Sequence, residues 1–302
     1  MTTSFRIGVD LGGSKIEGAA VDASGAVRLR RRIPTPSGDY RGTILAIVAV
    51  VADLERRIGM QASVGIGMPG AISPATGLVK NANSTWLNGR RLQHDLDAAL
   101  GRPVRLANDA NCFALSEAAD GAAAGCRTVF GVILGTGIVI DRLLLVGANA
   151  IAGEWGHNPL PAPLPDELPG PTCYCGRSGC IETFLSGPGM AADHRRHTAR
   201  DLSAVEIARG AESGDGGCRA TLDRYADRLA RSLATVINLI DPDAIVLGSG
   251  LSAIGALYDE APRRWGRYVF SDRVHTRLLA PAHGDSSGVR GAAWLWPAAP
   301  AT

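Results

Sequence analysis

Three cysteines stand within eight residues in "CYCGRSGC" (Cys173, Cys175 and Cys180), and His157 of "GEWGH" precedes the first of them by sixteen positions. Three thiolates and one imidazole form the donor set of a tetrahedral Cys₃His zinc site of the structural type. The spacing C-x-C followed by C-x₄-C differs from the common C-x-x-C knuckle, which also leaves a dithiol redox motif without its usual form. A disulfide framework is the weaker alternative. The amino terminus, "MTTSFRIGVDLGG", shows no charged leader followed by a long apolar run, so a cytoplasmic setting with reduced thiols is expected. Cys112, Cys126 and Cys218 lie among small apolar residues and are expected to pack as core thiols.

Two glycine-containing stretches suit phosphate. In "DLGGSK", Asp10 ends an apolar strand, Gly12 and Gly13 bring backbone amides close to an anion, and Lys15 adds a positive charge. Asp10 is also placed to hold Mg²⁺ through water. A tight hairpin with a buried carboxylate is the plain alternative. "LGTG" (134–137) adds the Thr136 hydroxyl beside Gly137, and two such loops suit a nucleoside triphosphate better than one. There is no G-x-x-x-x-G-K-[ST] motif. "IVLGSGLSA" matches G-x-G-x-x-A through Gly248, Gly250 and Ala253, the fingerprint of a nicotinamide enzyme. That fingerprint belongs in the first βαβ unit of its fold, whereas here only a few dozen residues follow.

"ANDANC" places Asn108, Asp109 and Asn111 at the start of an expected helix. A carboxylate there is either a helix cap or a base that accepts a hydroxyl proton during phosphoryl transfer. "NANSTWLNG" (81–89), polar and carrying Trp86, suits either a polyhydroxylated ligand or an ordinary turn.

The elements that must hold these groups follow from periodicity. The 302 residues suffice for two domains, with 31 basic against 29 acidic side chains and no basic tract beyond Arg28 and Arg30–Arg32. Nucleic-acid binding is therefore not expected, and no apolar stretch is long enough to span a membrane. Helices are predicted for 39–57, with Asp39 as cap, and for 109–124, 220–240, 253–268 and 287–296. "PLPAPLPDELPGP" (159–171) is too rich in proline for regular structure. Gly8–Gly13 resembles Gly131–Gly137, and Val64–Gly70 resembles Ile245–Gly250, in the same order. This points either to a duplicated α/β unit with a cleft between the copies or to chance likeness among glycine-rich turns.

In their order along the chain, "DLGGSK", "GMPG", "ANDAN", "LGTG", "GEWGHNP", "CYCGRSGCIE" and "DPDAIVLGSGLS" resemble the ROK family of sugar kinases and repressors. Within it, "VKNANSTWLNG", "RLANDANC" and "HGDSSGVRGAAWLWP" are most similar to bacterial fructokinases (mannofructokinases). The resemblance implies an α/β fold of duplicated actin-like, ribonuclease-H-like domains with an interdomain cleft for ATP, Mg²⁺ and a hexose. The expected division is 1–118, completed by a helix at 287–302, and a larger zinc-bearing domain at 119–286. It implies ATP-dependent phosphorylation, of fructose first, with Asp109 as catalytic base. Glucose, mannose or an N-acetylhexosamine are the alternative sugars, and a non-catalytic sugar-responsive regulator is a remoter one. Asn108, Glu154, His157 and Glu182 align with sugar-binding positions, joined by Asn83 and Gly70. Gly12, Gly13, Lys15, Thr136 and Gly137 align with phosphate loops, and Gly248 and Gly250 with the nucleoside loop. His157, Cys173, Cys175 and Cys180 align with zinc ligands, and a homodimer is implied. One departure stands out: the second phosphate loop passes from Gly137 directly into "IVIDRLLLVG", with Asp141-Arg142 where family hairpins often have Asn-Gly. Either the hairpin is merely shortened, or ATP placement and turnover are weakened.

Overall fold

β1 (Arg6–Leu11), β2 (Lys15–Val21) and β3 (Val27–Pro34) form an antiparallel meander, and β4 (Ser63–Met68) and β7 (Arg105–Asn108) extend it in parallel on the β1 side. The computed structural model describes residues 5–133 and 135–296, apart from the side chains of Ser249, Leu251 and Asp285. Leu134, the first residue of "LGTG", and 297–302, the end of the expected last helix, lie outside the described residues. β5 (Ala71–Ile72) and β6 (Val79–Lys80) make a small separate ribbon. The remaining strands are β8 (Thr128–Val132), β9 (Thr136–Ile140), β10 (Leu143–Leu144), β11 (Ala244–Leu247) and β12 (Arg277–Leu279). The two large sheets run β3-β2-β1-β4-β7 and β10-β9-β8-β11-β12. The segments matched in sequence occupy matched places: β1 and β8 are central, and β4 and β11 are their parallel neighbours. The likeness of the glycine-ended strands is thus a repeated topology.

The helices are α1 (Tyr40–Ile58), α2 (Leu92–Leu100), α3 (Asp109–Ala119), α4 (Ile181–Phe184), α5 (Gly187–Thr198), α6 (Ala204–Glu212), α7 (Gly216–Ile240), α8 (Leu257–Trp265) and α9 (Ser287–Trp294). None of the described helices is long and apolar enough to cross a membrane. Packing divides the chain into two units. One contains the residues up to Cys126, Gly137–Gly153 and those from Pro281 onward; the other contains Arg127–Thr136 and Glu154–Ala280. This differs from the division expected at 118/119, because 119–126 and 137–153 pack with the first unit.

In the first unit α1 buries Ile44, Ile47, Val50, Val51 and Leu54, and its Asp39 cap accepts from Gly42 N–H as expected. α9 lies directly on the strands. A Cβ at Gly8 or Gly65 would stand 1.9 Å from the carbonyl oxygens of Val289 and Ala292 respectively, so backbone meets backbone there. α3 ends earlier than periodicity predicts. Its buried Glu117 accepts from the N–H groups of Ala122 (2.9 Å) and Ala282 (3.0 Å) and from the Ser287 hydroxyl (2.8 Å). That carboxylate takes up amides of the turn that follows and ties it to the start of α9.

In the second unit the proline-rich segment, expected to be irregular, forms one 3₁₀ turn (Pro165–Glu167) and is firmly anchored. Its buried Glu167 accepts from Arg228 (2.7 Å) and Arg231 (2.8 Å), both on α7, and from Leu164 N–H (2.8 Å). Arg228 also reaches Asp193 of α5 at 2.9 Å, and Arg231 donates to the carbonyls of Pro161 (3.1 Å) and Ala162 (2.6 Å). Burial alone would raise the Glu167 carboxyl, but the hydrogen bonds from Arg231, Arg228 and Leu164 hold it below the usual range. Removing one partner strands buried charge, so Glu167→Ala should cost about 3–5 kcal/mol of stability. Urea unfolding measures this, and a loss below about 1 kcal/mol would mean the network behaves like a surface pair.

Candidate active site and metal centre

Cys173, Cys175, Cys180 and His157 converge in the second unit, with one ligand atom from each lying within 4.8 Å of all the others. His157 Nδ1 is 3.6 Å from Cys173 Sγ, and Cys175 Sγ is 3.6 Å from Cys180 Sγ. With Zn–S near 2.3 Å and Zn–N near 2.0 Å, the edges of a tetrahedron are about 3.5–3.8 Å. The residues therefore fit zinc in donor chemistry and in spacing. The turn is set by backbone: Cys173 N–H donates to Arg177 O (2.7 Å) and Gly176 N–H to Cys173 O (3.0 Å). Ile181 N–H donates to Asn158 O at 2.9 Å, tying the cysteine loop to the "GEWGH" segment. Backbone and side-chain hydrogen bonds from Arg177 pull the exposed Cys175 thiol down to about 6, while burial pushes Cys180 up to about 12. The other three cysteines are buried and unbridged.

The opposite edge of the His157 ring faces polar groups. Its Nε2 is 2.9 Å from the Tyr174 hydroxyl and 3.7 Å from Glu182 Oε2. Burial first, and the charge of Glu154 as well, raise the Glu182 carboxyl, against the pull of His157. Glu154, His157 and Glu182 thus form one polar group beside the cysteine cluster. Trp155, between Glu154 and His157, is buried, donates to Ser232 O (3.2 Å) and packs edge-on against Phe130. The buried indole fixes the segment and leaves its two polar neighbours facing outward.

The first unit holds the acid. Asn108, not Asp109, is the cap of α3: its side-chain oxygen accepts from Ala110 N–H (2.9 Å) and its amide donates to Gly70 O (3.0 Å). Gly70 has φ 75, and a Cβ there would come 2.4 Å from Lys80 O. Asp109 is the first helical residue, half-buried, with Oδ1 accepting from Ala110 N–H at 2.8 Å. Asp10 ends β1. Burial first, then the charges of Asp109 and Glu17, push its carboxyl up to about 6, against a lowering pull from Lys15. A carboxylate so placed gains from a cation, which suits Mg²⁺. Gly12 N–H donates to Lys15 O (3.0 Å) in the β1–β2 turn, whose carbonyls at Gly12 and Gly13 accept from Thr35 and Ser37. Gly13 is exposed, as is Asn83.

The raised Asp10 carboxyl carries a consequence for stability. The unfolded chain binds this proton only below about 3.9, so the folded protein holds the extra proton between there and about 6. Stability from the protonated form is therefore lost as pH rises through about 6. Asp10→Asn should stabilise the protein by about 1–3 kcal/mol at pH 7 and negligibly at pH 4. Equal effects at both pH values in thermal unfolding would contradict this.

Several expected positions fall elsewhere. Thr136 and Gly137 lie buried in β9 rather than in a loop, and a Cβ at Gly137 would sit 2.7 Å from Ala110 O. Gly137 is thus demanded by close packing on α3, and the Thr136 hydroxyl is buried with no hydrogen-bond partner among the described residues. Asp141 and Arg142, with φ 50 and φ 65, close a two-residue β9–β10 hairpin, so the shortened segment is a tight turn. After β11, Gly248 leads into a 3₁₀ turn (Ser249–Ala253) that contains Gly250, with α8 beginning only at Leu257. The strand-to-α-helix turn of a dinucleotide fingerprint is not formed. Trp86 is half-buried against the core and donates to Thr43 (3.3 Å), and Asn88 pins the loop through both Ala82 backbone groups. Tyr174, Glu117 and Glu167 were not singled out from sequence. Only Tyr174, an aromatic between two cysteines of the cluster, left a local signal.

Residues 6–299 match the family model described as the ROK family. The chain is 38% identical over 296 residues to an N-acetyl-D-glucosamine kinase of Salmonella paratyphi C, covering 95% of this chain and 98% of that one. It is 37% identical, with the same coverage, to an N-acetyl-D-glucosamine kinase of Aliivibrio salmonicida. Among solved structures, a ROK hexokinase from Thermus thermophilus is similar at 28% identity and TM-score 0.84, covering 96% and 97% of the two chains. A ROK family glucokinase from Streptomyces griseus, in complex with glucose and AMPPNP, is similar at 28% identity and TM-score 0.74, covering 97% and 99%.

Proposed function

Since the chain belongs to the ROK family and is a sugar kinase acting on a hexose or hexosamine, we propose that it transfers the terminal phosphoryl group of ATP to N-acetyl-D-glucosamine. The observation that carries this reading is the near full-length 38% identity to N-acetyl-D-glucosamine kinases. Fructose is the second reading, favoured by the fructokinase-like stretches around Asn83, Asp109 and His283. In both readings Asp109 accepts the proton of the attacking sugar hydroxyl. Such a base works by placement, since proton loss is late in a loose phosphoryl transfer.

Asn108, Asn83, Gly70, Glu154, His157 and Glu182 are assigned to sugar hydroxyls in this proposal. The cap uses the Asn108 oxygen and the Gly70 carbonyl takes one of its amide hydrogens, which leaves the second amide hydrogen for a ligand. Gly12, Gly13 and Lys15 are assigned to phosphate, Asp10 to Mg²⁺, and Gly248 and Gly250 to the nucleoside. Thr136 and Gly137 keep a phosphate role only through the strand end. Of the two, the unpaired Thr136 hydroxyl supports it better. Zinc, held by His157, Cys173, Cys175 and Cys180, would supply a structural tie and no reaction chemistry.

A coupled assay with Mg²⁺-ATP across N-acetylglucosamine, glucose, mannose and fructose tests the reading. The expected order puts kcat/KM for N-acetylglucosamine first, because a site built to hydrogen-bond an acetamido group penalises a sugar lacking it. Fructose first would select the second reading, and no ADP release with any sugar would reject both.

A further inference from the structure

Tyr174 stands between Cys173 and Cys175, and the residue is 82% exposed. Its hydroxyl nevertheless lies 2.9 Å from His157 Nε2, and the two rings meet edge-on at 5.1 Å and 82°. We infer that Tyr174 sets sugar affinity by occupying His157 Nε2 in the sugar-free protein, so that a sugar hydroxyl must displace it. The inference rests on the reading that His157 contacts the sugar.

The argument is one of valence. An imidazole nitrogen makes one good hydrogen bond, as donor or as acceptor, whichever tautomer is present. Nδ1 of His157 faces the Cys173 thiol at 3.6 Å, which leaves Nε2 as the nitrogen available to a ligand. Glu182 Oε2, at 3.7 Å, favours the proton on Nε2. A sugar oxygen taking that N–H and the Tyr174 hydroxyl are thus two claimants for one donor. Tyr174 is free to yield, because its exposed ring is not locked by packing and its hydroxyl can turn to water. An inward-packed tyrosine would instead be a fixed part of the wall.

Breaking a neutral hydrogen bond and giving both groups new partners costs a modest net amount, which corresponds to about 2- to 10-fold in affinity. Calorimetric titration of the zinc-loaded full chain with N-acetylglucosamine, glucose and fructose reads this effect. Tyr174→Phe should bind the preferred sugar about 2- to 10-fold more tightly than wild type, with zinc content unchanged. Damage to the loop predicts weaker binding, so the sign separates competition from a merely structural role. A second measurement needs no variant. Tetranitromethane should nitrate Tyr174 faster in the presence of sugar, since the hydroxyl is then released, with the site read by peptide mass spectrometry. Wild type that binds a sugar while Tyr174→Phe binds it equally or more weakly, or sugar that protects Tyr174 from nitration, overturns this inference alone. Wild type that binds none of the three sugars overturns the kinase reading and this inference together.

Discussion

Asp109→Asn is expected to lower kcat by about 10²- to 10⁴-fold while leaving the dissociation constant for sugar nearly unchanged. The substitution keeps a side-chain oxygen where Oδ1 accepts from Ala110 N–H, so the first turn of α3 retains that contact. Asn108, the actual cap, is untouched. What disappears is the ability to take a proton. A second readout follows from the neighbouring carboxylate. The charge of Asp109 helps to raise Asp10, so the variant should lower the Asp10 pKa from about 6. The change can be followed by NMR titration of the carboxyl carbon. Loss of sugar binding in parallel with turnover would return Asp109 to a structural role at the helix start.

Metal removal is expected to have the larger effect on structure. Structural Cys/His zinc sites contribute about 10–16 kcal/mol of apparent binding energy to the folds they close. Here the cluster joins the loop after Thr172 to the 3₁₀ turn Trp155–His157, and Cys180 caps α4, which carries Glu182. Cys180→Ser, or stripping with a chelator, should release one zinc per chain and raise the sugar KM by more than about 10-fold. The decrease in kcat should be smaller, because Asp109 belongs to the other unit. Elemental analysis that finds no metal in active protein, with unchanged melting in the serine variants, would sink the zinc assignment.

The chemistry-bearing residues were legible because their constraints are local. Thiols spaced C-x-C-x₄-C and a histidine sixteen residues earlier can be recognised without a fold. So can a carboxylate ending an apolar strand before two glycines. The repeated strand-then-glycine pattern identified the central strands of both sheets for the same reason. A buried strand leaves an apolar run, and a turn leaves glycine. α1 and α7 were found because long amphipathic helices repeat their apolar positions many times. α5 was not expected because its buried face, Met190, Asp193 and His194, carries little apolar repeat, and α2 and α6 are nine residues each.

Other features depended on groups far apart in sequence. Glu167 reads as an ordinary acid in a proline-rich loop, and only the arrival of Arg228 and Arg231 from α7 makes it a buried anchor. Gly137 reads as a phosphate-loop glycine, yet the space against Ala110 of α3 is what excludes a side chain. At the start of α3 the sequence left Asp109 open as cap or base, because Asn and Asp are both good caps; in the structure Asn108 is the cap and also donates to Gly70 O. The amino-acid sequence by itself determined the family and offered a candidate metal donor set and a candidate base, since these rest on residue type and short spacing. Tertiary structure alone decided which edge of His157 faces the thiols and which faces Tyr174 and Glu182. A ring's orientation is fixed by packing and hydrogen bonds from several segments, and none of these is encoded in the histidine's own neighbours.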